Sequence, residues 1–247
     1  MKSNKNYLNL NTFLNFGILT LVTFLSLSFI TCDIESETDL TYTILKGDNQ
    51  QNKQLLILLH GMNSNTEIWN DFTKSVDNKT LMVAVEAPIK TEINSYRWYD
   101  IDVSKKPFKS DVNQMVKSTN RIKDLIVKLK IQHKIETGNI IIAGFSQGAI
   151  LSLNLGLSHP ELVSGIGIFS GMLPEKIEER MSKDIKDLPV FLTHGSEDKG
   201  IDFSLAEKTN SFLKNKSANV KMTVEKSGHT ISDKQFQDFI NWSKTIE

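Results

Sequence analysis

The stretch Asn139-Ile140-Ile141-Ile142-Ala143-Gly144-Phe145-Ser146-Gln147-Gly148 decides how this chain is read. Its first half is a short apolar run rich in β-branched residues, the pattern of a strand buried on both faces. Its second half is G-x-S-x-G, after which the apolar residues continue as a helix to Ser158. A strand that turns into a helix within two residues strains the backbone at Ser146 and crowds the side chains around it, and glycine, two positions away on each side, has none. The hydroxyl is then exposed above the sheet edge, at a helix N-terminus whose dipole favours developing negative charge. Alone, G-x-S-x-G is a weak signal. With the strand before it and the helix after it, Ser146 reads as a nucleophile and not as part of a structural turn.

Six further strand candidates lie at 41–46, 54–59, 80–85, 165–169, 189–193 and 220–225, beside the one at 139–144. Helix candidates fall at 66–77, 111–135, 146–158, 175–184, 203–215 and 232–245. In 111–135 the apolar positions Val112, Met115, Val116, Ile122, Leu125, Ile126 and Leu129 follow helical spacing, with lysines between them. Strand and helix alternate, which predicts an α/β fold: a mostly parallel central sheet of about seven strands flanked by helices. Such sheets place ligands at the carboxyl ends of their strands.

A serine hydroxyl needs a positioned imidazole to take its proton. Of five histidines, His133 and His159 sit at polar helix ends, while His60 and His194 each end a strand and precede a glycine as tight-turn residues. His229 follows the last strand. In α/β-hydrolases the order along the chain is serine, acid, histidine, and His229 alone fits that order with room for an acid between. The acid belongs on the loop from His194 to Asp202, where Glu197, Asp198 and Asp202 are all eligible by charge. A tetrahedral intermediate also needs backbone donors. Gln147, which follows the nucleophile, supplies one, and Met62, in the turn His60-Gly61-Met62 after the first long strand, supplies the other.

The chain has 247 residues with 29 basic and 29 acidic side chains, a balance that offers no electrostatic reason to bind nucleic acid. Its single cysteine excludes an intramolecular disulfide framework and a cysteine-based zinc site. Lys2 and Lys5 precede an uncharged apolar run from Phe13 to Ile30, followed by Thr31, Cys32 and a polar stretch. This is the layout of an export signal. Cys32 stands where the run stops and resembles the lipidated cysteine of bacterial lipoproteins, although Phe29-Ile30-Thr31 is not the usual lead-in. An uncleaved anchor and plain secretion are the alternatives, and all three place the domain outside the cytoplasm. The expected organisation is a signal over 1–31, an acidic tether over 32–40 and one domain over 41–247. Loss of residues 1–31 removes Lys2 and Lys5 and leaves a net charge of about −2. Membrane contact is expected only through the N-terminal lipid or anchor.

Taken in order, the motifs resemble the phospholipase/carboxylesterase family of α/β-hydrolases, which includes acyl-protein thioesterases. The resemblance spans roughly 53–245 and rests on His60-Gly61-Met62, Glu86-Ala87-Pro88, Arg97-Trp98-Tyr99-Asp100-Ile101, Gly144-Phe145-Ser146-Gln147-Gly148-Ala149 and Phe169-Ser170-Gly171-Met172-Leu173-Pro174. Pro189-Val190-Phe191, the run from His194-Gly195 to Asp198, and Gly228-His229 complete it. It implies a Ser146–Asp198–His229 triad, with Asp198 selected from the three acids by the family pattern. It also implies oxyanion donors at Met62 and Gln147 and a serine ester hydrolase working through an acyl-enzyme, with no metal or cofactor. Asn63-Ser64-Asn65 and Lys199-Gly200-Ile201-Asp202 depart from the family's usual sequence, so the rim of the site and the substrate stay open. The long segment 89–110 carries Tyr96, Trp98, Tyr99 and Phe108; these either line an acyl or alcohol pocket or pack the segment onto the core. A small-molecule or lipid ester is the expected substrate. A peptidase on the same fold and a membrane-tethered binding protein are the competing readings.

Overall fold

The computed structural model describes residues 40–47, 52–104 and 108–246. The proposed signal and residues 32–39 of the tether, with Cys32, lie outside the described residues, while Leu40 is buried in the core. The strands are β1 (Tyr42–Lys46), β2 (Gln54–Leu59), β3 (Thr80–Val85), β4 (Ile89–Glu92), β5 (Ser95–Arg97), β6 (Ile101–Asp102), β7 (Lys109–Ser110), β8 (Ile140–Phe145), β9 (Gly165–Phe169), β10 (Pro189–Gly195) and β11 (Asn219–Glu225). Among the described residues four α-helices accompany them: α1 (Val112–His133), α2 (Gln147–Ser158), α3 (Phe203–Asn215) and α4 (Asp233–Ser243).

Seven strands form the central sheet in the order β1-β3-β2-β8-β9-β10-β11. Every pairing is parallel except β1 with β3. The α/β-hydrolase architecture expected from the strand–helix alternation is therefore the one observed.

Two-sided burial explains the apolar runs. In β2, Leu55, Ile57 and Leu59 enter one core with Val83, Val85 and Ile142, while Leu56 and Leu58 enter the other with Met82, Ala84 and Ile141. This is the period of two of a strand covered on both faces. Helices α1, α2 and α3 cover the first face through Met115, Ile122, Leu151, Ala206 and Leu213. The second face is closed by an aromatic cluster of Trp69, Phe72, Phe236, Phe239 and Trp242, with Phe72 and Phe236 stacked at 4.6 Å. Each fully buried large apolar side chain contributes about 1.5–3 kcal/mol.

Two expected helices differ. Thr66–Ser75 is a 3₁₀ helix capped by Asn65, whose side chain accepts from the Glu67 N–H at 2.8 Å. Its buried residues Trp69 and Phe72 are three apart, the spacing that a three-residue turn places on one face. Over 175–184 only a short 3₁₀ turn forms, at Ile177–Glu179. There the Arg180 guanidinium donates to the carbonyls of Glu175 (2.7 Å) and Lys176 (2.8 Å) and to Asn154 Oδ1 (2.7 Å). The guanidinium thus folds back on the carbonyls four and five residues before it, and the Lys176 carbonyl also takes the Glu179 amide at 3.1 Å. Within 89–110, β4 pairs with β5 and β6 with β7 as two small hairpins.

The candidate active site

β2 and β8 are neighbours, yet the chain leaves them in opposite directions across the sheet, and such a switch point opens a crevice at the carboxyl edge. Gly61 and Met62 follow β2 there, and Ser146 follows β8. Ser146 has φ 53° and ψ −117°, a strained conformation for a residue with a side chain. The turn closes because its glycines lack Cβ atoms. A Cβ on Gly144 would strike the Gly148 backbone, and one on Gly148 would strike the carbonyls of Leu59 and His60.

His229 comes from the loop between β11 and α4. Its Nε2 lies 2.9 Å from Ser146 Oγ and its Nδ1 lies 2.8 Å from Asp198 Oδ2. The ring rests on Phe145, with centroids 4.8 Å apart. The loop is pinned at its far end by a capping box, in which Ser232 and Gln235 exchange side-chain and backbone hydrogen bonds, and by Ser232 Oγ donating to Glu225 at 2.6 Å. Asp198 is buried. Its Oδ1 accepts from the Gly200 and Ile201 amides at 2.8 and 2.9 Å, which leaves Oδ2 turned toward His229. The other two acids are occupied elsewhere. Asp202 caps α3 through Ser204 N–H at 3.0 Å, and exposed Glu197 faces Lys226 at 3.7 Å.

Neither the Met62 nor the Gln147 amide has a backbone acceptor among the described residues. Gln147 stands first in α2, so its N–H is one of those a helix N-terminus leaves unpaired. The Gln147 side chain has a further job that the motif did not reveal: Oε1 accepts from Trp98 N–H at 2.9 Å and Nε2 donates to the Tyr99 carbonyl at 2.8 Å.

His60 was read as a tight-turn residue, and the structure gives it more to do. It is fully buried, its Nδ1–H donates to the Gly61 carbonyl at 2.7 Å, and its Nε2 accepts from Ala87 N–H at 3.0 Å. Burial lowers its pKa from 6.5 to about 4, against the Gly61 hydrogen bond, which raises it. Trp98 Nε1 donates to the His60 carbonyl at 2.8 Å.

A cleft of about 450 Å³ opens over Ser146 and His229, walled by Met62, Ile101, Val103, Phe108, Ile150 and Met172. Trp98 and Tyr99 are not among its walls. Both are fully buried, so they take the packing role left open above, and the indole N–H and backbone of Trp98 hold the two loops together. Tyr96 pairs its backbone with Ser64 at 2.9 and 3.3 Å and also stands off the cleft. The residues of 89–110 that do wall the cleft are Phe108, Ile101 from the family motif and, unremarked in the sequence, Val103. A second, largely apolar cavity of about 730 Å³ shares Phe108, Ile150 and Met172 with the cleft and extends to Leu173 and Leu205. Among the described residues no group of His, Cys, Asp or Glu is arranged to hold a metal ion.

A parallel sheet with one antiparallel edge strand and a strained serine between β8 and α2 define the α/β-hydrolase class. The model of the phospholipase/carboxylesterase family matches residues 41–246, and the chain belongs to that family. It is 31% identical over 186 residues to acyl-protein thioesterase 1 of Mycosarcoma maydis, a match covering 66% of this chain and 76% of that one. Among solved structures, a Bacillus cereus carboxylesterase superposes with a TM-score of 0.72 at 20% identity, covering 84% of this chain and 95% of that one. Esterase PE8 superposes with a TM-score of 0.71 at 25% identity, covering 85% and 100%. The chain is a carboxylesterase-type hydrolase.

Proposed function

We propose that the protein cleaves carboxylic esters or thioesters through an acyl-enzyme, with Ser146 as nucleophile, His229 as general base and acid, and Asp198 as the carboxylate that orients it. The observation that carries this reading is the hydrogen-bonded chain from Ser146 Oγ through His229 to Asp198 Oδ2, at 2.9 and 2.8 Å. A carboxylate oxygen only accepts, so His229 Nδ1 holds the proton and Nε2 is free to take another. His229 removes the Ser146 proton as Oγ attacks the carbonyl carbon. The oxyanion forms beside the Met62 and Gln147 amides. Collapse expels the alkoxide or thiolate, which receives the proton from His229, and water then attacks the acyl-enzyme with His229 again as base. The apolar walls of the cleft suit an apolar acyl group. The names of the relatives, thioesterase and carboxylesterase, favour ester or thioester over the amide of a peptidase.

The test is direct. Ser146→Ala and His229→Ala should each lower kcat by at least ~10³-fold while the fold is kept, and a fluorophosphonate probe should label the wild type and not Ser146→Ala. Near-normal turnover in both variants sinks the mechanism. A panel of esters, thioesters and aminoacyl amides decides the acyl-transfer class.

We further propose export, with lipid attached at Cys32. Its support is the basic start, the uncharged run from Phe13 to Ile30 and the cysteine at its end. Cys32→Ala should abolish incorporation of labelled fatty acid. Membrane attachment that persists with an intact N-terminus would replace the lipid with an uncleaved anchor.

A further inference from the structure

His194, near the end of β10, has no part in the mechanism above, yet it touches the acid. Its side chain is fully buried, and Nε2 lies 2.8 Å from the Ile201 carbonyl oxygen and 3.3 Å from Asp198 Oδ2. Both partners are acceptors, so Nε2 carries a proton. Nδ1 is buried with no partner among the described residues, and a second proton there would create a buried charge without an acceptor. The ring is therefore the neutral Nε2–H tautomer, closed off by Phe203 at 6.1 Å between centroids. Asp198 Oδ2 thus lies between two imidazoles, hydrogen-bonded to His229 at 2.8 Å and 3.3 Å from His194.

We infer that His194 is a positioning residue: it holds the Asp198 carboxylate in the plane His229 needs and sets how strongly that carboxylate draws on the His229 proton. The inference rests on the reading of Ser146, His229 and Asp198 given above. The Nε2–H donates to the Ile201 carbonyl and, 3.3 Å from Oδ2, brings its positive end against that oxygen; this stabilises the carboxylate's negative charge, so it does less to stabilise the His229 imidazolium. The same donor ties Asp198 to Ile201, which walls the cleft. Other charged groups lie on the elements around it. Lys199 faces the cleft, Glu197 pairs outward with Lys226, Asp202 caps α3, Glu207 lies one turn further along α3, and Glu225 accepts from Ser232. His194 Nε2 lies against Ile201 and Asp198, so its coupling to His229 runs through Asp198.

The experiment compares His194→Phe, which keeps a ring and removes the donor, with His194→Gln, whose Nε2 reaches about as far as the imidazole Nε2. The assay is hydrolysis of a short-chain p-nitrophenyl ester by the full chain across pH. His194→Phe should lower kcat by ~10-fold with KM within about twofold, and should move the acid limb of kcat/KM up by about half a pH unit or more. His194→Gln should recover most of the kcat and return the acid limb toward its original place. An acid limb that stays put in His194→Phe, or a Gln variant as impaired as the Phe variant, overturns the inference. Should His194→Phe not fold, His194→Asn takes its place, because its shorter amide falls short of Oδ2; equal activity of the Asn and Gln variants is then the overturning result. Ser146→Ala separates the two levels. An active Ser146→Ala defeats the mechanism itself, whereas an inactive one beside unaffected His194 variants defeats only the role of His194.

Discussion

On the β10–β11 side of Ser146 the chain turns over in two short loops joined to each other by backbone hydrogen bonds and held by the Asp198 carboxylate. Ser196 N–H donates to Glu225, Glu197 N–H to Ser227, and the Gly200 and Ile201 amides to Asp198, all within 2.7–3.0 Å. On the β2–β3 side the chain makes a long excursion whose fastenings come from far along the sequence. His60 takes the Ala87 amide from 27 residues away, and Gln147 takes the Trp98 amide from 49. Ser118 Oγ closes the set by donating to the Trp98 carbonyl at 2.6 Å. The first side places the groups that move protons. The second places the walls and the Met62 amide. Backbone pairing between two short loops holds the one, and side chains reaching across the fold hold the other, so damage to the two sides should read out differently.

The largest effect belongs to the short-loop side. Asp198→Asn keeps an oxygen for the Gly200 and Ile201 amides but loses the charge that holds His229 in its working tautomer. Its kcat should fall by ~10²–10⁴-fold, about 2.7–5.5 kcal/mol of barrier, with the thermal midpoint nearly unchanged. A variant that retains activity within tenfold would break the contrast by removing chemistry from that side.

The next effect belongs to the long excursion and appears in stability. The folded protein keeps His60 neutral down to about pH 4, whereas the unfolded chain takes up that proton near pH 6.5. Its contribution is fully present above pH 6.5 and declines as pH falls toward 4, by about 3 kcal/mol. Denaturant melts at a series of pH values should show this slope in the wild type and a reduced one in His60→Gln. An identical slope in both would mean that the His60 network does not fasten the loop as described.

The smallest effects return to the short loops and sharpen the assignment of the acid. Asp202→Ala should cost about 1 kcal/mol through loss of the α3 cap, with kcat kept. Glu197→Gln, on an exposed pair, should change stability by less than about 0.5 kcal/mol. Loss of activity in Asp202→Ala at unchanged stability, beside an active Asp198→Asn, would reassign the acid.

The same division accounts for what could be read from the sequence. The strands were legible because Leu55–Leu59 and Ile140–Ala143 are apolar on both faces, and Ser146 because its two glycines stand between a strand run and a helix run in consecutive sequence. The choice of Asp198 was not local. It depends on Asp202 being occupied by the Ser204 amide and Glu197 turning outward, and the family pattern supplied it. The hairpins in 89–110 are too short to alternate visibly. Trp98 and Tyr99, as prominent aromatics, drew attention to the cleft, while the smaller Ile101 and Val103 line it. Nothing near Gln147 in sequence announces that its side chain clamps residues 98 and 99.

β1 is the lone antiparallel strand of the central sheet. It begins where β3 ends, pairing Tyr42 with Val85, and the Thr41 carbonyl takes the Glu86 amide at 2.9 Å. The described chain therefore starts at the edge that carries Ser146. It finishes at the opposite edge, where Ile246 packs against Gly165 at the start of β9. For anyone tagging or immobilising this enzyme, the two ends are not equivalent. A fusion joined ahead of Leu40 leaves the fold on the sheet edge that carries Ser146, three strands from β8, whereas one joined behind α4 leaves it on the opposite edge.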